Sequence, residues 1–372
     1  MPCRIMGKLL ILSSDTGEGH NSAARALEAT AATAGLQVSV RKPLEESGKL
    51  NRTLGSLYNT ILTRCPQQMG SYFWLVDRCR PNERNFLYSN ARRFIKKFLD
   101  SEQPDTVLSV HPMLNHFIQR FIKEEKLGIP CHTFLTDPFP PFWQGWASPW
   151  VDKFLVPTHE ALQELTAMGV AAWRIEQVPM PVRSQFRPFT TAARQAFCEE
   201  LQLDYATTIL LNGGARGGGP LLSIYQAARR AAPDANILVV CGSNDALRHR
   251  LQTLRHPKTQ TFGFVHDIHR FIACSDLVLT KPGALSTYET LACGVPVLLL
   301  GLRGLMPQES GLFHAAAHYE FGFVASRLRD VEEIINQGRQ TWNRIRSSLA
   351  AFYQVSYGEE IVERILHAHA PA

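Results

Sequence analysis

Three glycine-bearing loops place reactive side chains directly after apolar runs in this 372-residue sequence. The first is Ser13-Ser14-Asp15-Thr16-Gly17-Glu18-Gly19-His20, between the apolar Lys8–Ser13 and the Ala-rich Asn21–Ala34. Gly17 and Gly19 let the backbone turn tightly against a ligand, and a helix start supplies unpaired N–H groups for anionic or developing negative oxygen. His20 adds an imidazole whose ordinary pKa of about 6.5 leaves it largely neutral and basic near pH 7. A plain strand-to-helix turn would account for the glycines; the histidine at its mouth favours a functional reading. Asp137 and His111, each following another apolar run, are the alternative bases, and Asp137 is also a candidate to orient the imidazole. The loop is not G-x-G-x-x-G, so a dinucleotide site is weakly supported.

The second loop, Asn212-Gly213-Gly214-Ala215-Arg216-Gly217-Gly218-Gly219, is too glycine-rich for ordinary packing, since each glycine costs backbone entropy. Gly214 and Gly217 suit a backbone nest for a diphosphate, with Arg216 adding charge. No Gly-Lys-Ser/Thr follows, which argues against a Walker-type triphosphate site. The third loop runs from Thr280 through Lys281-Pro282-Gly283-Ala284-Leu285 to Glu289. A carboxylate one to two turns into the following helix can accept two hydrogen bonds from a ribose diol, although a lone helical Glu is more often a solvated residue.

These loops need strands to end them and helices to open them. Short apolar runs alternate with helical stretches on both sides of the proline-bearing Val178–Pro188, a pattern that predicts two doubly wound α/β domains facing across a ligand cleft. The expected divisions are residues 1–180, 181–340 and a helical tail 341–372 that packs back towards the first domain. At 45% hydrophobic and 19% charged, the composition excludes disorder, collagen and coiled coil. No apolar run reaches the ~18 residues of a membrane span. Eight cysteines without a C-x-x-C pair read as reduced, mostly buried thiols rather than a zinc site.

The net charge of +6 is unevenly placed. Lys49–Phe98 holds ten Lys/Arg against two acids, Asp77 and Glu83, and is laced with aromatics. Such a segment suits a polyanionic surface, either nucleic acid or anionic lipid headgroups, with Arg92, Arg93, Lys96 and Lys97 as the candidates for lipid, although a solvated helix face is the plainer reading. Basic and acidic residues nearly balance elsewhere and no reading motif is present, so nucleic acid is disfavoured.

Ser14–His20 resembles the S-D-T-G-G-G-H segment of monogalactosyldiacylglycerol synthases, with Glu18 in place of one glycine. Ser109-Val110-His111-Pro112, Leu135-Thr136-Asp137, the Trp143/Trp146 region and Val178–Phe186 follow in the family's order. Gly263-Phe264-Val265, Ser275-Asp276-Leu277-Val278, Lys281-Pro282-Gly283, Gly294-Val295-Pro296 and Pro307-Gln308-Glu309 continue it. Gly283–Glu289 is similar to the G-A-L-T-x-x-E of the more distant peptidoglycan N-acetylglucosaminyltransferase. The resemblance is to glycosyltransferase family 28, in its diacylglycerol glycosyltransferase branch.

That resemblance implies a GT-B fold and inverting transfer of a hexose from UDP-glucose or UDP-galactose to a lipid hydroxyl, most naturally diacylglycerol. It implies no cofactor and no metal, in keeping with the lack of a D-x-D. Gly283, Ala284 and Leu285 would approach the diphosphate, and Glu289 would hold the ribose. Phe264 and Val265 would border the uracil, while Gln308 and Glu309 would grip the sugar. Gly17, Gly19, Trp143 and Trp146 would belong to the acceptor side, and His20 would take the acceptor's proton. The expected location is cytoplasmic, peripheral on the inner face of the cell membrane. Other readings are transfer to a polyprenyl-linked sugar or small hydrophobic alcohol, a UDP-sugar 2-epimerase on the same fold, or a binder without turnover.

Overall fold

The computed structural model describes residues 7–15, 18–47, 69–204, 206–302, 304–352 and 356–367. Gly17 and the 49–68 portion of the basic segment lie outside the described residues. The chain divides into two compact units. The first takes Met1–Arg183, Met306–Gln308 and Val355–Ala372; the second takes Ser184–Leu305 and Glu309–Gln354.

In the first unit the elements are β1 (Lys8–Leu12), α1 (Glu18–Thr33), β2 (Gln37–Arg41), α2 (Pro43–Glu46), α3 (Met69–Cys79), α4 (Asn85–Glu102) and β3 (Thr106–Ser109). They continue with α5 (Phe117–Glu124), β4 (Cys131–Phe134), β5 (Lys153–Val156), α6 (His159–Ala167) and β6 (Ile175–Gln177). The strands form one parallel sheet in the order β2-β1-β3-β4-β5-β6. Leu9 to Leu12 are at most 1% exposed, because a parallel sheet is covered on both faces and its strands read as continuous apolar runs. The Ala-rich α1 buries Ala23, Ala24, Ala26, Leu27 and Ala31. Small side chains there let the helix lie close to the sheet, and so hold its first residues near the ends of β1 and β3. The first unit also contains a C-terminal helix that buries Ile361, Val362 and Ile365.

The second unit holds α7 (Thr191–Glu200), β7 (Thr208–Asn212), α8 (Leu221–Ala231), β8 (Asn236–Val240), α9 (Asp245–Gln252), β9 (Thr259–Phe262), α10 (Ile268–Cys274) and β10 (Leu277–Thr280). The C-terminal helix of the first unit, α15 (Glu359–His367), ends the chain; the second unit continues with α11 (Ala284–Ala292), β11 (Val297–Leu300), α12 (Pro307–His318), β12 (Phe323–Ala325), α13 (Leu328–Asn336) and α14 (Gly338–Phe352). Its strands form a second parallel sheet, β12-β11-β10-β7-β8-β9. Asp276 latches α7 and α14 to the start of β10. Its Oδ1 accepts from Arg194 at 2.9 Å and Arg339 at 2.7 Å, and its Oδ2 from the Thr208 N–H at 2.9 Å.

Each sheet has one point where the strand order reverses, between β1 and β3 in the first and between β7 and β10 in the second. Ligands of open α/β sheets bind beyond the carboxyl ends of the strands at such points. All three glycine loops of the sequence follow one of these four strands.

One feature differs from the sequence expectation. β6 and β12, three residues each at the edge of a sheet, were not anticipated, since so short a strand carries no readable apolar period. The proline-bearing segment is packed: Val178, Met180, Val182 and Phe186 are all at most 1% exposed. Prolines hold that chain extended, and its alternating apolar residues then share one buried side.

Candidate active site

In the first unit the loops after β1, β3 and β4 converge on His20. The loop after β1 is fixed by side chains: Ser13 Oγ donates to Asn21 Oδ1 at 2.9 Å, and Asn21 Nδ2 to Asp15 Oδ1 at 3.0 Å. Glu45 Oε1 accepts from Ser14 Oγ and from the Asp15 N–H, each at 2.8 Å. His20 lies in the first turn of α1, with Nδ1 2.8 Å from the Val110 carbonyl oxygen and 3.0 Å from Thr136 Oγ1. A carbonyl can only accept, so Nδ1 carries the proton and Nε2 keeps its lone pair. Burial pushes the imidazole down to about 4, against a smaller upward pull from the Val110 carbonyl. The helix N-terminus acts in the same direction as burial.

His111 meets the His20 ring edge to face, with centroids 4.4 Å apart. It is buried, which holds its pKa well below the usual histidine range, with the neighbouring His20 adding to the depression. Its Nδ1 accepts from the Met113 N–H at 3.3 Å, so that nitrogen's lone pair is already used. Asp137 Oδ2 accepts from the indole N–H of Trp146 at 2.9 Å, and the Trp146 ring lies 6.3 Å from the imidazole. Trp146 is fully buried and takes part through its N–H alone, whereas Gly19 is exposed. Trp143 closes over Gly145, where a Cβ would come within 2.3 Å of its ring. The structure thus gathers His20, His111, Asp137 and Trp146. It adds Thr136, which stood in the sequence beside Asp137 without a role; a short hydroxyl after a buried strand was the available signal.

In the second unit the glycines of the loop after β7 have two different causes. A Cβ on Gly217, whose φ is +58°, would meet the Cys241 carbonyl oxygen at 1.9 Å, and one on Gly213 would meet Leu221 at 2.5 Å. Asn244 Nδ2 donates to the Gly217 carbonyl at 3.1 Å. These two glycines let the loop pack on the turn after β8, contrary to the expectation that packing could not account for them. Gly214, Gly218 and Gly219 face open space, and Arg216 is exposed beside them. Gly283 precedes α11, whose first N–H groups belong to Ala284 and Leu285; the Leu285 side chain itself is core. Glu289 is buried on the same helix at 6% exposure. β9 pairs with β8 as far as Phe262. Phe264 therefore stands in the loop beyond it, 56% exposed, followed by the half-buried Val265. Gln308 and Glu309 open α12, and Glu309 pairs with Lys281 at 3.3 Å.

The four basic residues of α4 separate into two pairs. Arg92 is tied to Glu125 and packs over the Phe121 ring at 5.6 Å, and Lys96 pairs with Asp100 at 3.3 Å. Arg93 and Lys97 are exposed, at helical spacing from Phe86, which is 74% exposed. Trp74 and Leu75 of α3 stand 67% and 52% exposed. Among the described residues no helix is long and apolar enough to cross a membrane, and no three His, Cys, Asp or Glu group as a metal site requires.

Known proteins resemble the chain along most of its length. Residues 20–182 match the family model of monogalactosyldiacylglycerol (MGDG) synthase, and residues 208–304 that of the glycosyltransferase family 28 C-terminal domain. Processive diacylglycerol beta-glucosyltransferases of Bacillus cytotoxicus and Bacillus thuringiensis are each 25% identical, over 96% of this chain and 93% of theirs. Among solved structures, MurG of Acinetobacter baumannii superposes with a TM-score of 0.63 at 16% identity, over 97% of this chain and 99% of that one. Anabaena HepE in complex with UDP-glucose superposes with a TM-score of 0.58 at 13% identity, over 97% and 100%. The architecture is accordingly the two-domain α/β arrangement of the GT-B class.

Proposed function

Starting from a chain that joins a monogalactosyldiacylglycerol synthase domain to a glycosyltransferase family 28 C-terminal domain, we propose that it transfers a hexose from a UDP-sugar to the hydroxyl of a diacylglycerol, with inversion. The observation that carries the chemistry is His20 held by Nδ1 to the Val110 carbonyl, leaving Nε2 as a fixed proton acceptor. The acceptor hydroxyl gives its proton to Nε2 as its oxygen attacks the anomeric carbon. The bond from that carbon to the diphosphate oxygen breaks, and UDP leaves with the electron pair. A positioned base of this kind contributes roughly 10²–10⁴ in rate.

The leaving diphosphate is met by the N–H groups opening α11 and by the open glycines Gly214, Gly218 and Gly219 with Arg216. Glu289 holds the ribose diol, Phe264 and Val265 border the uracil, and Gln308 and Glu309 take the sugar hydroxyls. The names of the full-length relatives favour glucose, and that of the N-terminal family model favours galactose. Trp74, Leu75 and Phe86 with Arg93 and Lys97 form the surface that seats the protein on anionic lipid, from the cytoplasmic side of the membrane.

The test is incubation of the protein with UDP-glucose or UDP-galactose and vesicles of diacylglycerol and phosphatidylglycerol. A glycolipid with β linkage is expected. No lipid product from either donor would refute the transferase reading, and an α-linked product would refute inversion.

A further inference from the structure

The short turn that carries Trp146 is capped by a residue far away in sequence. The 3-10 turn Gln144–Trp146 follows Trp143, whose side chain makes no capping bond, so the Gln144 N–H must find its partner elsewhere. It donates to Asp77 Oδ1 at 3.1 Å, 67 residues earlier. Asp77 lies on α3, within one turn of the exposed Trp74 and Leu75. The next residue of the turn, Gly145, is buried beneath the Trp143 ring. The third, Trp146, donates to Asp137 at 2.9 Å. One three-residue turn is therefore held by α3 at its start and holds the Asp137 carboxylate at its end.

We propose that Asp77 is a positioning residue through which the apolar surface helix α3 sets Asp137, so that seating α3 on lipid aligns the acceptor site. The inference rests on the reading of the protein as a lipid-surface transferase. A turn of three residues has no interior to absorb a displacement, and the Trp143 ring over Gly145 blocks its peptides from moving independently. Loss of the Asp77 bond then shifts Trp146, and the carboxylate it anchors moves with it. A misplacement of about 1 Å costs on the order of 10²-fold in rate. A simple cap on a surface turn would change stability but not the relation between lipid and turnover.

The full chain is assayed with UDP-glucose, UDP-galactose and vesicles of diacylglycerol and phosphatidylglycerol, as parent, Asp77→Ala and Asp77→Asn. Asp77→Ala is expected to lower kcat by about tenfold to a hundredfold, with UDP affinity and vesicle flotation unchanged. Asp77→Asn keeps the accepting oxygen and should recover most of that loss. Amide exchange at Gln144 should slow in the parent when vesicles are added, and quicken in Asp77→Ala. The proposal is overturned if Asp77→Ala keeps kcat within about twofold of the parent, if its activity falls only in proportion to lost flotation, or if Asn fails to rescue. A parent that makes no glycolipid from either donor refutes the underlying transferase reading instead. Gln144 exchange then decides the clamp alone, and exchange indifferent to both vesicles and the Ala variant overturns it.

Discussion

Replacing His20 by Gln should change both turnover and the pH dependence of stability, and the second effect has a size set by burial. The folded imidazole titrates at about 4, against about 6.5 for an unfolded histidine. Between those values the unfolded chain binds the proton and the folded one does not, so stability rises with pH there. The contribution is complete above the unfolded pKa, is lost as pH falls towards 4, and is constant below it. Linkage over a gap of roughly 2.5 units gives about 2 kcal/mol between about pH 7 and about pH 5. Parent and His20→Gln would be unfolded in urea at both pH values. The parent should lose about 2 kcal/mol more than the variant on acidification, while kcat of the variant falls by about 10²–10⁴ and UDP affinity stays. An equal loss on acidification would refute the desolvated, neutral ring. A kcat within a few-fold of the parent would remove His20 from proton transfer and leave Asp137 as the base.

Three further outcomes are expected. Glu289→Gln should weaken UDP binding by about tenfold to a hundredfold in calorimetry, because charge-assisted bonds to the ribose contribute ~1.5–3 kcal/mol each before water replaces them; unchanged affinity would move the ribose elsewhere. Arg93→Glu with Lys97→Glu should reduce flotation with phosphatidylglycerol vesicles by on the order of 10²-fold at low salt, each nearby cation contributing about 1 kcal/mol. Arg92→Glu with Lys96→Glu should instead lower stability, by setting a carboxylate against Glu125 and Asp100; equal flotation losses from both pairs would refute the division of α4. Gly217→Ala should cost about 2–4 kcal/mol in urea unfolding, since its Cβ would enter the Cys241 carbonyl at positive φ, whereas Gly218→Ala should cost less than about 1 kcal/mol.

The parts legible in the sequence are those set by local chemistry. β1, β7 and β10 were readable because burial on both faces makes each close to a continuous apolar run. The loops after them were readable because glycine and polar residues stand where each run ends. Contacts between distant residues were not readable. Gly217 is demanded by Cys241 and Asn244, which only the pairing of β7 with β8 brings against it. The charge count of Lys49–Phe98 could not tell Arg92, tied to Glu125 just past the end of the next helix, from Arg93 one residue on, because the distinction is which side of α4 faces α5. Thr136 was within sight, yet a hydroxyl gains its role only when Val110 and His20 arrive from two other strand ends.

The His20 value of about 4 carries a consequence for assigning the base. An ordinary histidine and an ordinary aspartate differ by roughly 2.6 pH units, and an acid limb in kcat/KM would tell them apart. Here burial has brought the imidazole to where ordinary carboxylates titrate, so an acid limb near pH 4 does not by its position identify His20. The two do differ in the charge they change. Protonating His20 creates a buried cation, whereas protonating Asp137 removes an anion that the Trp146 indole stabilises. Ionisation of an imidazolium also absorbs much more heat than that of a carboxylic acid. The acid limb of a His20-limited enzyme should therefore move to lower pH on warming, whereas that of an Asp137-limited enzyme should stay in place. His20→Gln should abolish a temperature-sensitive limb and Asp137→Asn should leave it, at reduced rate. A limb that does not move between cold and warm assays would assign the proton to Asp137, with His20 kept neutral by burial and orienting the acceptor hydroxyl through Nε2 rather than taking its proton.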